Sequence, residues 1–345
     1  MIRSTAVLLS GIQTLVSPAA LAQVGTPATA PTLRISGSST VAPIIEQAIR
    51  TFRSASPKNR TARIQLSTSG TSAGFRQFCS GQLAIANASR PINSRELKAC
   101  KEKGIRFIEL PIAFDAVSVV VNPANSWAKL ITRNELSRLW NRAAQGRISR
   151  WNQVNLDWPN RPLKLCAPGK DSGTFDYFNK AVNGDNANAR LDVVSSEDDN
   201  QLVQCVASDA NALGYFGYAY YNKNRKRLRA LAVVGPKGPV APSIASVQKE
   251  TYLPLSRPLF IYVNDAELRR NELVRRFITH TIRDGLTLSA QAGYIPLPSS
   301  TYRIVESKLY RHVLGSSFAG DLPVGQGLGA TLRRSLDAIK RTEFR

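Results

Sequence analysis

Three short clusters of hydroxyl residues and glycine punctuate this chain: Ser36-Gly37-Ser38-Ser39-Thr40, Ser69-Gly70-Thr71-Ser72-Ala73-Gly74 and Asp171-Ser172-Gly173-Thr174. Each follows a strand-like run and precedes a helical pattern. A helix start leaves backbone N–H groups unpaired at the positive end of its dipole, hydroxyls add further donors, and glycine lets an anion approach the backbone closely. Three such ends converging would surround a tetrahedral oxyanion with neutral donors. A single Ser or Thr before a helix is ordinarily a plain N-cap, so the argument rests on the threefold recurrence. No cluster matches G-x-x-x-x-G-K-[ST], which disfavours a nucleotide as the ligand. Ser172 as a nucleophile finds little support. It lacks a G-x-S-x-G turn, and the two histidines of the chain, His280 and His312, lie in stretches that read as amphipathic helix.

The formal charge of +22 attracts anions of any size. Its basic residues are scattered, with Lys223–Arg229 (KNRKRLR) the one run, and its turn-forming neighbours make that run a solvated loop rather than a nucleic-acid groove. With two histidines and no C-x-x-C, neither a metal site nor a cofactor is expected. The opening MIRSTAVLLSGIQTLVSPAALAQ has Arg3, an apolar middle from Ala6 to Val16 and the ending Ala20-Leu21-Ala22. It reads as a secretory signal peptide over residues 1–22, cleaved before Gln23, rather than as a first helix. No cysteine stands near the cleavage site, so a soluble, exported protein without a lipid anchor is expected. Export makes disulfides the default for the four cysteines. Cys79 with Cys100 and Cys166 with Cys205 is the simplest of three connectivities, each bridge stabilising by about 3–4 kcal/mol in the chain-entropy model.

The elements that must carry the clusters alternate. LRIS, RIQLST, LAIANAS, RPLKLCAPG and SRPLFIYVN read as strands, and IRFIELPIAFDAVSVVVN as a long extended region dense in β-branched residues. Between them VAPIIEQAIRTFRS, FRQFCSG, RELKACKEKG capped by Ser94, NELSRLWN with a Thr132–Glu135 capping box, SSEDDNQLVQCVAS and ELVRRFITHTIRDG read as helices. That alternation is the pattern of an α/β layer fold, and the mature length suggests about two domains. The tail after Gly315 mixes a Gly-rich piece with a terminal helix.

GSSTVAPIIEQA, TSGTSAGFRQFCSGQLAIANASRPI, PGKDSGTFDYFNKAV, ALGYFGYAYY and LSRPLFIYV, in that order, resemble the phosphate-binding proteins of bacterial phosphate ABC transporters, the PstS family, in the branch carrying D-S-G-T-F-D-Y-F. The likeness runs from about Leu33 to Tyr302. It implies an α/β periplasmic binding protein of two lobes (type II, Venus-flytrap), with a central β-sheet in each lobe and a two-stranded hinge. Lobe 1 would comprise residues 33–116 and 262–314, lobe 2 residues 117–261, and residues 315–345 a C-terminal Gly-rich segment and helix. The chain would cross between lobes near Asp115–Val121 and again near Phe260–Asn264.

The resemblance further implies one phosphate ion held by Ser39 and Thr40, by Thr71 and Ser72, and by Ser172, Gly173 and Thr174 of the opposite lobe. Many family members place an aspartate at the position of Ser89 and an arginine at that of Pro168; both are replaced here. Arg90 could then supply charge or form a salt bridge beneath the site, and Asp115 or Asp171 could accept a proton from the ion. The implied function is high-affinity binding of inorganic phosphate in the periplasm and delivery to the permease subunits of an ABC importer, by a monomer that is not an enzyme. A phosphate-ester hydrolase, a phosphate sensor, and sulfate or arsenate as the ligand are the alternatives.

Overall fold

The computed structural model describes residues 1–2, 32–236 and 238–321. The expected signal peptide and most of the Gly-rich tail lie outside the described residues. Hydrophobic alternation and β-branched content give thirteen strands among them: β1 (Leu33–Gly37), β2 (Ile64–Thr68), β3 (Ile85–Ala88), β4 (Phe107–Val121), β5 (Leu130–Thr132), β6 (Lys164–Pro168), β7 (Val194–Ser196), β8 (Ala212–Gly217), β9 (Arg229–Ala230), β10 (Ala232–Gly235), β11 (Gly238–Val240), β12 (Ser256–Asn264) and β13 (Ile295–Pro296). The main path of hydrogen-bonded strands runs β2-β1-β3-β12-β4-β8-β6-β7, and β11-β10-β5 form a small separate sheet. Strands β1, β2 and β3 pair in parallel, as do β6, β7 and β8, while β12 and β4 run antiparallel to their neighbours.

β4 is shared by the two ends of this path. Residues Phe107–Ala116 pair with β12, and Val117–Val121 pair with β8. All 15 residues of the strand are buried, which explains why its sequence is nearly continuous in apolar residues rather than alternating. Pro111 has no N–H to give the ladder, and the register between β4 and β12 slips beside it, between Leu259 and Phe260. β12 pairs along its whole length with β4 and, from Phe260, with β3, so the return crossing expected near Phe260–Asn264 lies inside a strand of the first half.

Helices cover both halves. Ala42–Ser54, Thr71–Cys79 and Glu272–Arg283 flank the first half, and Gly173–Asn183 and Asp199–Ala207 the second. In the second half Tyr215 of β8 stacks on Phe178 with ring centroids 3.7 Å apart, and Trp140 packs edge-on against both. Cys79 is bridged to Cys100 and Cys166 to Cys205. The first bridge ties two helices beside β3, and the second ties β6 to the helix Asp199–Ala207. One cap differs from the sequence reading. Asn93, not Ser94, caps the helix Ser94–Glu102, because only that register puts Glu96 at the third helical position, where its carboxylate returns the bond to the Asn93 N–H.

Candidate anion-binding site

The first cluster closes the turn between β1 and the helix Ala42–Ser54, yet no side chain caps that helix. Its hydroxyls reach across to the second half instead. The Ser39 hydroxyl donates to Asp199 Oδ2 at 3.4 Å, and Thr40 Oγ1 lies 3.1 Å from Thr174 Oγ1. The second cluster enters the helix Thr71–Cys79 through Gly70, whose φ of +84° places it in the glycine-favoured region, and again no side chain caps. Because Gly70 turns the chain so sharply, Thr71 and Ser72 already belong to the first helical turn, earlier than the FRQFCSG start read from sequence. Thr71 Oγ1 lies 3.2 Å from Ser89 Oγ, and the Ser72 N–H donates to the Asp171 carbonyl at 2.8 Å.

In the third cluster Ser172 is the N-cap that the bland reading predicts: its Oγ accepts from the Thr174 N–H at 3.1 Å. Gly173 follows as the first helical residue and faces the first half directly. A Cβ there would stand 2.6 Å from both Thr71 Oγ1 and Ser89 Oγ. The three clusters, which are far apart in sequence, thus meet at one place between the two halves, buried at Ser39, Thr40, Thr71, Ser89, Ser172 and Thr174.

Charged groups surround this meeting point in a definite order. Arg90 is 2% exposed and donates twice to Glu96 at 2.8 Å, once to Ser72 Oγ at 2.8 Å, and through Nε to Asp176 of the second half. Burial pulls its guanidinium pKa down, but Glu96 and Asp176 outweigh this and hold it firmly protonated. Arg257, from β12, is 1% exposed; it donates to the Gly173 carbonyl at 2.8 Å, to Thr174 Oγ1 at 2.7 Å and to Asp115 Oδ2 at 3.3 Å. Arg257 and Asp115 are register partners across the β4–β12 pair, which is why the two meet. Burial pushes the Asp115 carboxyl up and Arg257 opposes it; the Tyr218 N–H also donates to it at 3.2 Å.

Two further carboxylates flank the clusters. Asp199 is buried, and burial together with the Asp115 charge pushes it up to about 7. Glu197 accepts from the Asp171 N–H at 3.1 Å and packs against Gly70 and Gly169; burial, then the nearby Asp171 and Asp176 charges, push it up to about 7 as well. At the rim Arg76 makes two bonds to Asp171, at 2.7 and 2.9 Å, bridging the halves where both side chains are partly exposed.

Residues 22–284 match a PBP superfamily domain. Two relatives are the SphX protein of Synechocystis sp., 43% identical over 89% of this chain and 90% of its own, and the phosphate-binding protein PstS of Staphylococcus haemolyticus, 34% identical over 77% and 81%. The chain belongs to the PstS family. Among solved structures, a possible phosphate binding protein from Planctomyces limnophilus is similar at 36% identity, with a TM-score of 0.59 over 82% of this chain and 99% of that one. The fold is the α/β, two-lobed binding-protein fold of that family.

Within this PstS-family fold, all ten residues singled out from sequence, Ser39, Thr40, Thr71, Ser72, Ser89, Arg90, Asp115, Ser172, Gly173 and Thr174, lie at or directly behind the meeting point. Their contacts divide them. Ser39, Thr40, Thr71, Ser89, Gly173 and Thr174 face one another across the halves, whereas Arg90 and Ser72 bond to each other within an ion-pair network and Asp115 is held by Arg257. Asp171, weighed as a proton acceptor or a helix cap, is occupied by Arg76, and Ser172 takes the cap. His280 bonds to Thr51 and His312 to Asp265, each within the first half. Sequence reading missed Arg257 and Asp199. A charge inside an otherwise apolar strand, as in SRPLFIYVN, was the available signal for the first.

Proposed function

We propose that the protein binds inorganic phosphate in the periplasm and hands it to the permease of an ABC-type importer, without catalysing a reaction. The observation that carries this reading is the seating of Gly173 against Thr71 and Ser89, with Thr40 against Thr174, so that hydroxyls from both halves face one another at one place. The proposed ligands of the ion are Ser39, Thr40, Thr71, Ser89, Ser172, Gly173 and Thr174, with Ser72, Arg90 and Asp115 shaping the site from behind. Arg257, not a residue at the Pro168 position, supplies the positive charge at the third cluster.

Lobe 1 corresponds to residues 33–116 with 256–314, and lobe 2 to 117–255, the second boundary lying before β12 rather than at the expected 261/262 because β12 pairs with β3 and the first part of β4. Both sets of donors reach one ion only when the lobes are closed, so binding energy shifts an opening–closing equilibrium about β4. The closed form then docks as a monomer on the permease. Among the described residues no helix is long and apolar enough to cross a membrane, in keeping with a partner that supplies the membrane passage. Export through the 1–22 signal peptide completes the reading.

Calorimetric titration of the mature protein with phosphate and with sulfate, at pH 6 and pH 8.5, tests it. A saturable phosphate isotherm with one site is expected. Saturation by sulfate alone would reassign the ligand, and sustained turnover of an aryl phosphate that is lost on Ser172→Ala would replace binding with hydrolysis.

A further inference from the structure

The first cluster is gripped by two tyrosines, one from each half. The Tyr220 hydroxyl donates to the Ser39 carbonyl at 3.0 Å, and the Tyr294 hydroxyl donates to the Thr40 carbonyl. Tyr294 lies between the helix Gly285–Gln291 and β13, in the same half as the cluster. Tyr220 does not. It sits in the short helix Tyr218–Lys223 directly after β8, and its ring packs in the second-half core with Val120, Phe216 and Leu228. Only its hydroxyl crosses to the first half. The reach is set by its neighbours: the Tyr218 N–H donates to Asp115 Oδ1 at 3.2 Å, and a Cβ at Gly217 would stand 3.1 Å from Thr40 Cγ2. Burial and the Asp199 charge hold the Tyr220 phenol above its ordinary pKa, so it stays a donor at physiological pH.

The Ser39 carbonyl and the Thr40 N–H are the two ends of one trans peptide, which points them in opposite directions. Whatever fixes the carbonyl therefore aims the N–H. The turn alone fixes it weakly, because the other partner of this carbonyl is the Ala42 N–H, at 3.2 Å and shared with the Ser38 carbonyl at 3.2 Å. Thr40 is 1% exposed, yet its N–H finds no acceptor among the described residues. The N–H groups of Ser38 and Val41 on either side do, donating to the Asn87 and Ser38 carbonyls at 2.9 and 3.2 Å. A buried amide is rarely left unpaired, and an acceptor brought by a ligand would satisfy it. On the same residue, Thr40 Oγ1 already faces Thr174 where the clusters meet.

We infer that Tyr220 is a positioning residue for the anion: as the halves close, its hydroxyl pins the Ser39 carbonyl and so aims the Thr40 N–H into the site. The inference rests on the phosphate-binding reading above and adds to it a donor whose direction is set by closure. Tyr294 holds the next peptide in the open and closed forms alike, because it travels with the cluster. Tyr220 acts only in the closed form.

The test compares the wild type with Tyr220→Phe, which removes the hydroxyl and keeps the ring in its core. Amide proton shifts of the isotope-labelled mature protein are read with and without saturating inorganic phosphate, the Kd by calorimetry, and the Tm without ligand. In the wild type the Thr40 and Gly173 amide protons should both move downfield on adding phosphate. In the variant Gly173 should keep its shift while Thr40 loses about half or more of its own. The phosphate Kd should weaken about fivefold, the worth of one net hydrogen bond, with the ligand-free Tm unchanged. A Thr40 shift equal to that of the wild type, with a Kd within about twofold, overturns the inference. Equal losses at Thr40 and Gly173 also overturn it, since they would make Tyr220 a closing contact that aims nothing, and so does a lowered ligand-free Tm with an unchanged Kd, the mark of a packing role. If Phe at 220 prevents folding, the wild-type spectra decide: a Thr40 amide proton unmoved by phosphate refutes the inference, and one that moves together with Gly173 upholds it. A wild-type protein that binds no phosphate would remove the functional reading as well, an outcome the calorimetry separates from all the others.

Discussion

Gly173→Ala separates folding from binding more cleanly than any other single change in this protein. Gly173 opens the helix Gly173–Asn183 in ordinary helical conformation, so alanine there removes backbone freedom from the unfolded chain and favours the helix, by up to about 1 kcal/mol. The added Cβ, however, would lie 2.6 Å from Thr71 Oγ1 and from Ser89 Oγ, where ordinary contact begins at 3.4 Å. Neither neighbour can withdraw easily, because both are fully buried and bonded to each other at 3.2 Å. Relief must come from the two halves parting by about 0.8 Å, the shortfall between those distances. That displacement stretches the Ser72 N–H to Asp171 bond from 2.8 Å and the Thr40 to Thr174 bond from 3.1 Å past hydrogen-bonding range. Two bonds between the halves at about 1–2 kcal/mol each cost about 2–4 kcal/mol of closure, or a phosphate Kd weakened about 30- to 1,000-fold. Titration calorimetry reads the Kd, and a melting curve without ligand reads the fold. Unchanged or raised Tm with the weakened Kd is expected. A variant that binds phosphate within threefold of the wild type would refute the claim that closure brings Gly173 against the first half.

Three further outcomes are expected. Arg257→Met leaves Asp115 as a buried carboxylate without its cation and should destabilise the protein by about 3–5 kcal/mol in urea unfolding at neutral pH, and by less as the pH falls, because a protonated Asp115 no longer needs the partner. Replacing Cys166 and Cys205 together by Ala opens a 39-residue loop and should cost about 4 kcal/mol of unfolding free energy, read from the denaturant midpoint against the wild type under oxidising conditions. Glu197 is pushed up to about 7 in the folded protein, so the folded state holds its proton more tightly than the unfolded chain; the stability it contributes is present below about pH 4.5 and is lost as pH rises towards 7. Glu197→Gln should therefore raise Tm at pH 8 and leave it unchanged at pH 4, and a Tm gain of equal size at both values would exclude the titration as its cause.

The strand–helix alternation was readable because apolar runs and turn residues are local signals, and SRPLFIYVN matches β12 residue for residue. The long apolar stretch around Asp115 was likewise readable as extended. It could not be seen from sequence that this stretch is one strand serving two halves of the sheet, since its partner changes at Val117 and pairing is a long-range property. The hydroxyl clusters were legible as helix starts, but their chemistry divided in a way that spacing does not encode. Ser172 caps its helix, whereas Ser39, Thr40 and Thr71 leave theirs uncapped and spend their hydroxyls elsewhere.

The charges were the least legible part, and for a physical reason. Each of the runs IELPIAFDAVSVVV and LSRPLFIYV carries ionisable residues where a buried strand should carry none, and a buried charge persists only with a partner. Register settles the pairing: Asp115 stands opposite Arg257, and Glu109 opposite Tyr262, whose hydroxyl donates to it at 2.8 Å. Had antiparallel pairing of the two strands been assumed, the search for an arginine near the third cluster would have led to Arg257 rather than ending at Pro168. Asp199 offered no such cue. Glu197, Asp198 and Asp199 are consecutive acids at a helix start, all favoured there by the dipole, and only the packed structure distinguishes the one that leans on a loop, the one that caps, and the one buried against Ser39. A site built from neutral donors announces itself through repetition, while the single charges around it acquire meaning only once the strands beside them are paired.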